Sequence, residues 1–266
     1  MILVTGPTGS GKTTTLYTAM HMLNKPGVNI TTVEDPIEYR MPRINQSQVN
    51  PKIGYTFASG LRSFLRQDPD IIMVGEIRDN ETADIAVNAA MTGHLVLSTL
   101  HTNDAATALP RLDDMKVEPF LIASTTNVII AQRLVRKICK NCIMSYNLNQ
   151  ETEKQLENHF NIEELKTALC KQGAMKSTKD KLSSLLFYKG KGCRQCDNSG
   201  YKGRIGIYEV LEITSGITEL ILKRASAEEI NQKAKAEGMI TMSQDGFLKA
   251  KQGITSIEEI IRVTQE

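Results

Sequence analysis

The chemistry most easily read from the chain lies at its start. Gly6, Pro7, Thr8, Gly9, Ser10, Gly11, Lys12 and Thr13 satisfy the spacing G-x-x-x-x-G-K-[ST], and Thr14 continues into a helical stretch. Glycines at these positions let backbone N–H groups converge on phosphate oxygens, and the helix that follows adds the positive end of its dipole. A lysine there reaches the β- and γ-phosphates, and the Thr13 hydroxyl suits Mg²⁺.

Acidic and basic residues recur where they could complete such a site. Glu34, Asp35 and Glu38 follow the apolar run Ile30–Val33; clustered carboxylates can hold Mg²⁺ through water and position an attacking water. Asp70–Glu76 is an apolar run ending in acid, like a Walker B strand, except that Gly75 stands where an aspartate would bind Mg²⁺. Glu76 then occupies the place of a water-activating carboxylate. Such a glutamate goes with ATPases that insert a strand between the P-loop and Walker B strands. The run from His94 to His101 is the expected insertion, with Thr99 and His101 near the γ-phosphate. Arg62 and Arg66 are four apart, on one face of a helix if one forms, and could neutralise charge developing on a transferred phosphoryl group. Arg78, Arg133 and Arg136 form a second basic set.

Cys139 and Cys142, then Cys193 and Cys196, make two C-x-x-C pairs; Cys170 stands apart. Two such knuckles give a tetrahedral site suited to Zn²⁺, and the neighbouring Lys137, Lys140, Lys189, Lys191 and Arg194 would stabilise thiolates. A redox role is disfavoured because neither pair is expected to follow a strand. A nucleic-acid surface is disfavoured because no aromatic platform accompanies the charge.

These residues need a scaffold that gathers them. Ile2–Val4, Ile30–Val33, Ile71–Val74 and Leu95–Leu100 are short aliphatic runs alternating with helical segments, as in a parallel α/β sheet. On such a sheet functional groups collect at the carboxyl ends of the strands. The expected organisation is α/β: a P-loop NTPase core over 1–135, a tetracysteine zinc-binding insert over 136–205 and a helical C-terminal subdomain over 206–266. Glu151 to Leu165 reads as an amphipathic helix and Lys171 to Lys181 as a loop. Ser226–Glu229 and Ser256–Glu259 read as capping boxes, with Gly238 ending the first of those helices.

Composition narrows the class. The 41% apolar and 23% charged fractions are those of a globular protein, and the net charge of +2 sets up no global field. No apolar run approaches a transmembrane length, and the first residues lack a leader's basic start. The expected location is cytoplasmic. The P-loop strand begins at residue 2, although such a strand is normally interior, so a preceding segment is expected.

Taken together, the motifs resemble the type II secretion and type IV pilus assembly ATPases along nearly the whole chain. The resemblance rests on Leu3–Thr13, Thr32–Glu38 (like the Asp box), Leu61–Asp70, Val74–Asp79, Thr92–Asp104 (like the His box), Ala131–Arg136, the cysteine pairs and Gly203–Glu209. Gly75 is that family's habit. The resemblance implies a RecA-like core, a homo-hexamer, ATP and Mg²⁺ held by Lys12 and Thr13, and Glu76 as catalytic base. Arg62 and Arg66 would sense the γ-phosphate, with Glu34, Asp35, Glu38, His94 and His101 shaping the site. It further implies work on a platform protein at the cytoplasmic face of the inner membrane. The tetracysteine insert favours pilus assembly or type II secretion over retraction, with pilus assembly preferred. The alternatives are a type II secretion ATPase and a truncated, nonhydrolysing scaffold; a DNA-pumping motor is disfavoured by the lack of a basic stripe.

Overall fold

The computed structural model describes residues 1–264. In chain order the elements are β1 (Ile2–Thr5), α1 (Lys12–Leu23), β2 (Ile30–Glu34), β3 (Asn45–Gln48), α2 (Phe57–Phe64), β4 (Ile71–Val74), α3 (Asn80–Met91), β5 (Leu95–Leu100), α4 (Ala108–Asp114), α5 (Pro119–Thr125) and β6 (Val128–Ile138). There follow β7 (Ile143–Asn147), α6 (Gln150–His159), α7 (Ile162–Lys171), β8 (Leu186–Gly190), β9 (Tyr201–Glu212), α8 (Ser215–Leu222), α9 (Ala227–Ala236), α10 (Met242–Lys251) and α11 (Ile257–Thr264). Contacts divide the chain into two units, 1–132 with 209–239, and 133–208 with 240–266.

The main sheet has the order β3-β2-β4-β5-β1-β6-β9, and the pairings among β1 to β6 are parallel. β5 therefore lies between the P-loop strand and the β4 strand, as expected for the inserted strand. The central strands read as aliphatic runs because both faces are covered: all four residues of β4 are buried, as are all five of β2. Val4, Leu16, Tyr17, Met20, Ile30, Met73 and Leu97 pack α1 onto the sheet. Each such aliphatic side chain contributes about 1.5–3 kcal/mol on burial.

The second unit has its own core, in which Leu156, Leu165, Leu169, Phe187, Phe247 and Ile260 are fully or nearly fully buried. The segment expected as one helix over Glu151 to Leu165 is two, α6 and α7. Asn161 breaks it, its side chain accepting from the Glu164 N–H at 3.2 Å to cap α7. The segment after 206 departs from the helical expectation: β9 runs on to Glu212 before α8 begins. Nor does 206–266 form a single subdomain; residues 209–239 join the first unit and 240–264 the second. The capping box at Ser226 is present on both sides. At Ser256 only half forms: Ser256 Oγ accepts from the Glu259 N–H at 3.4 Å, while the Glu259 carboxylate is taken by Arg136 and Arg262.

Candidate nucleotide site and tetracysteine cluster

The loop from Gly6 to Gly11 joins β1 to α1 by close backbone turns. Gly6 has φ 143°, and a Cβ there would lie 2.3 Å from the Gln132 carbonyl oxygen, so no other residue fits. α1 opens without a side-chain cap, so the N–H groups of its first turn lack an intrahelical or capping acceptor. Ser10 Oγ is buried inside the loop with no hydrogen-bond partner. Uncapped N–H donors and an orphaned hydroxyl fit an anion of phosphate type. Lys12 is buried, and its Nζ donates to the carbonyls of Gly6 at 2.8 Å and Pro7 at 3.1 Å. Desolvation pulls its pKa below the usual lysine value, and the facing charge of Glu76 partly restores it.

Gln132 braces the loop from β6. It is 1% exposed; its amide donates to Ser10 C=O at 2.8 Å and accepts from the Thr15 hydroxyl at 2.7 Å. A polar residue at a buried strand position, inside the run from Val128 to Val135, is the sequence signal that could have marked it.

Glu76 stands just past β4, buried, and one of its carboxylate oxygens is met by Arg78 Nε at 2.6 Å and His101 Nε2 at 3.0 Å. The turn beneath it is fixed from β5: Ser98 Oγ donates to Val74 C=O at 2.8 Å and Thr99 Oγ1 to Gly75 C=O at 2.7 Å. A Cβ on Gly75 would come within 3.3 Å of the Val33 carbonyl oxygen and the Phe57 ring. An aspartate there would press a carboxylate towards a carbonyl oxygen, a physical reason for the glycine. The parallel order of β4, β5 and β1 thus brings Lys12, Glu76, Thr99 and His101 to one end of the sheet.

Other expected site residues lie elsewhere. His94 is at the opposite end of β5, about 23 Å from His101 for seven extended steps. Its Nδ1 is 2.9 Å from Ala89 C=O and 3.1 Å from Thr92 Oγ1, so it finishes α3 instead of joining the site. Glu34 is 2% exposed and saturated: Tyr17 OH donates to it, as do Thr32 Oγ1 at 2.5 Å and Gln46 Nε2 at 3.2 Å. It therefore ties the P-loop helix to β2 and β3, and Asp35 and Glu38, both exposed, are left as the carboxylates of that loop free to meet water or metal. Burial, followed by its bond to the Glu34 carboxylate, pushes the Tyr17 phenol well above its ordinary value. Gln46 also holds the loop itself, accepting from Met41 N at 2.7 Å and donating to Tyr39 C=O at 3.1 Å.

The arginines split as well. α2 ends at Phe64, so Arg62 is helical and Arg66 falls in the turn beyond; Arg62 pairs with Glu81 at 2.7 Å, and both partners are exposed. Arg133 and Arg136 act within the second unit. Arg133 donates to the Val263 carbonyl in the last turn of α11, and Arg136 pairs with the buried Glu259 at 2.7 Å.

The four cysteines meet. All four sulfurs lie within 4.8 Å of one another, with Cys139–Cys193 at 3.9 Å, Cys142–Cys196 at 3.8 Å and Cys193–Cys196 at 3.6 Å. A tetrahedron with metal–sulfur bonds of about 2.3 Å has edges of about 3.8 Å, so the donor set fits Zn²⁺. These separations are far beyond a disulfide bond of about 2.05 Å, and all five cysteines are free. The first pair does directly follow a strand, β6, contrary to expectation, but the sulfur geometry remains that of a metal site. Desolvation and the neighbouring thiols raise Cys142 to about 12. At Cys196 desolvation also raises the pKa, but the N–H groups of Cys193 and Gly200 outweigh it and bring the thiol down to about 7. Cys170 lies outside the cluster.

The mostly parallel sheet and P-loop define a RecA-like P-loop NTPase core, here carrying a tetracysteine module. Residues 1–262 match the family described as Type II/IV secretion system protein, and the chain belongs to that family. It is 48% identical over its full length to the type IV pilus assembly ATPase PilB of Pseudomonas aeruginosa, covering 44% of that protein. It is 47% identical, again over its full length, to the type II secretion system ATPase E of Vibrio cholerae, covering 48% of it. The chain thus spans less than half of each of these relatives. Among solved structures it resembles the pilus retraction motor PilT with bound ADP, at TM-score 0.68 and 30% identity, covering all of this chain and 61% of that one. Among the described residues no helix is long and apolar enough to cross a membrane.

Proposed function

We propose that the chain is the ATP-hydrolysing motor portion of a type IV pilus assembly ATPase, working as a homo-hexamer on an inner-membrane platform protein from the cytoplasmic side. The observation that carries the ATPase part of this reading is Glu76 facing Lys12 at the P-loop; the family match over residues 1–262 and the likeness to pilus assembly ATPases support the rest. The loop N–H groups, Lys12 and Thr13 would hold the phosphates and Mg²⁺; the metal, when bound, neutralises phosphate charge. Glu76, oriented by Arg78 and His101, would take the proton of the attacking water. Asp35 and Glu38 would order water around the metal. Arg62 and Arg66, both exposed, would act on phosphate charge as sensors, Arg62 on leaving its pair with Glu81. Zn²⁺ on the four cysteines would be structural.

Similarity near 48% to a pilus ATPase and 47% to a secretion ATPase supports both machines almost equally. Type II secretion is therefore the second reading. Lys12→Ala tests the assignment of the P-loop: nucleotide affinity should fall at least about tenfold, the scale of losing a charge-assisted contact. Unchanged affinity would overturn it.

A further inference from the structure

The net charge of +2 hides two opposite halves. The first unit has 14 Lys and Arg against 19 Asp and Glu; the second has 18 against 11. Within the second unit the excess collects at the cysteine knuckles. Lys140 and Arg194 lie inside the two C-x-x-C turns, and the Lys191 N–H donates to Cys142 C=O at 2.9 Å. Lys202 follows Gly200, whose carbonyl accepts from the Cys139 N–H at 2.9 Å. Lys137 Cε lies 3.1 Å from where a Cβ on Gly203 would sit, with Arg204 the next residue. Lys189, on β8, leans over the Tyr146 ring at 5.1 Å. All seven cations are exposed, and none has an ion-pair partner among the described residues.

Compensation of a metal–thiolate centre does not account for this set. Four thiolates around one divalent ion leave a charge of about −2, Asp197 adds one more, and Glu258 faces Tyr146 and Tyr201; roughly three positive charges remain unmatched. We infer that the tetracysteine module is a rigid basic docking surface for a carboxylate-rich segment of a partner protein.

The neighbouring side chains favour that occupant over other polyanions. Asn141, Gln195, Asn198 and Ser199 are exposed between the cations and offer hydrogen bonds to carboxylates and peptide groups. Arg194 and Arg204 can take carboxylates bidentately. The turns inside the two pairs carry no apolar residue to insert into a bilayer. Two of the nearby rings already have a cation over one face, Tyr146 under Lys189 and Tyr201 under Arg136 at 4.2 Å, which lessens the room for stacked bases.

The test uses the zinc-loaded full chain and a fluorescent Asp/Glu-rich peptide, beside phosphatidylglycerol vesicles and a single-stranded oligonucleotide. The peptide should bind, weakening at least about tenfold between low and high salt as surface charges are screened. Lys140→Glu with Arg194→Glu should weaken it at least about tenfold more, at unchanged zinc content and nucleotide affinity. Lys202→Glu with Arg204→Glu, outside both cysteine pairs, should act alike if the first variant loses zinc. Equal peptide binding by folded reversal variants would overturn the inference, as would tighter binding of vesicles or oligonucleotide than of peptide. This outcome is independent of ATP turnover.

Discussion

Tyr17→Phe removes one oxygen from the P-loop helix and leaves the ring in place. The ring is 1% exposed and packs edge-on against Tyr39 at 4.6 Å, so no cavity larger than a hydroxyl opens. What is lost is a donor to the buried Glu34 carboxylate, which keeps Thr32 at 2.5 Å and Gln46 at 3.2 Å, and a 3.3 Å acceptor for the Gln46 amide. Hydrogen bonds to charged groups contribute about 1.5–3 kcal/mol, and a buried carboxylate short of a donor also bears extra desolvation. The expected loss is therefore about 2–3 kcal/mol. With a urea slope near the upper end of about 1–3 kcal/mol/M, the midpoint by far-ultraviolet circular dichroism should fall by about 1 M. Glu34→Gln, which removes the charge as well, should cost less when combined with Tyr17→Phe than the two single changes summed. An unchanged midpoint for Tyr17→Phe, or strict additivity in the double variant, would refute a latch between α1 and β2.

If Glu76 is the base, His101→Gln should lower turnover at least about tenfold, part of the roughly 10²–10⁴-fold that a positioned acid–base group contributes; His94→Gln, at the far end of β5, should leave it within about twofold. Equal effects in steady-state assays would contradict the placement of these two residues. Glu259 gives a pH signature. Burial raises its pKa, but Arg262 and Arg136 outweigh that and hold it at about 2, below the ordinary 4.5. Its contribution is then complete above about 4.5 and lost as pH falls towards about 2. Because both arginines are about half exposed, the full shift of roughly 3 kcal/mol is discounted to about 1–2. Glu259→Gln should be less stable than wild type at neutral pH, with the gap closing below pH 4.5; a constant gap would refute the linkage.

Much of the site was legible because the P-loop, the acid ending β4 and the position of β5 are all local patterns whose geometry follows from a parallel sheet. Tertiary partners were not legible. Glu34 and His94 have the residue types of a metal or phosphate site, yet one is consumed by Tyr17, Thr32 and Gln46, and the other by the end of α3. Gln46 carries no motif, and only its hydrogen bonds to Glu34, Met41 and Tyr39 reveal it. Gln132 is a polar residue in a mostly apolar strand run, and its role as a brace for the P-loop needed the fold. β9 was hidden because Glu209 points inward at a period-two position, where its carboxylate accepts from the Ala105 N–H at 3.0 Å. A buried acid broke the apolar alternation that would have announced a strand. The cysteines were readable as two pairs; their convergence across a 50-residue spacer needed the fold.

The proposed role of Glu76 as catalytic base facing the P-loop is read out by phosphate release from wild type beside Glu76→Gln, with nucleotide affinity measured on both. Wild type should turn over, the variant should fall by at least about a hundredfold, as for loss of a general base, and nucleotide affinity should stay within about threefold. Turnover that survives in Glu76→Gln, or affinity lost along with it, would contradict the assignment.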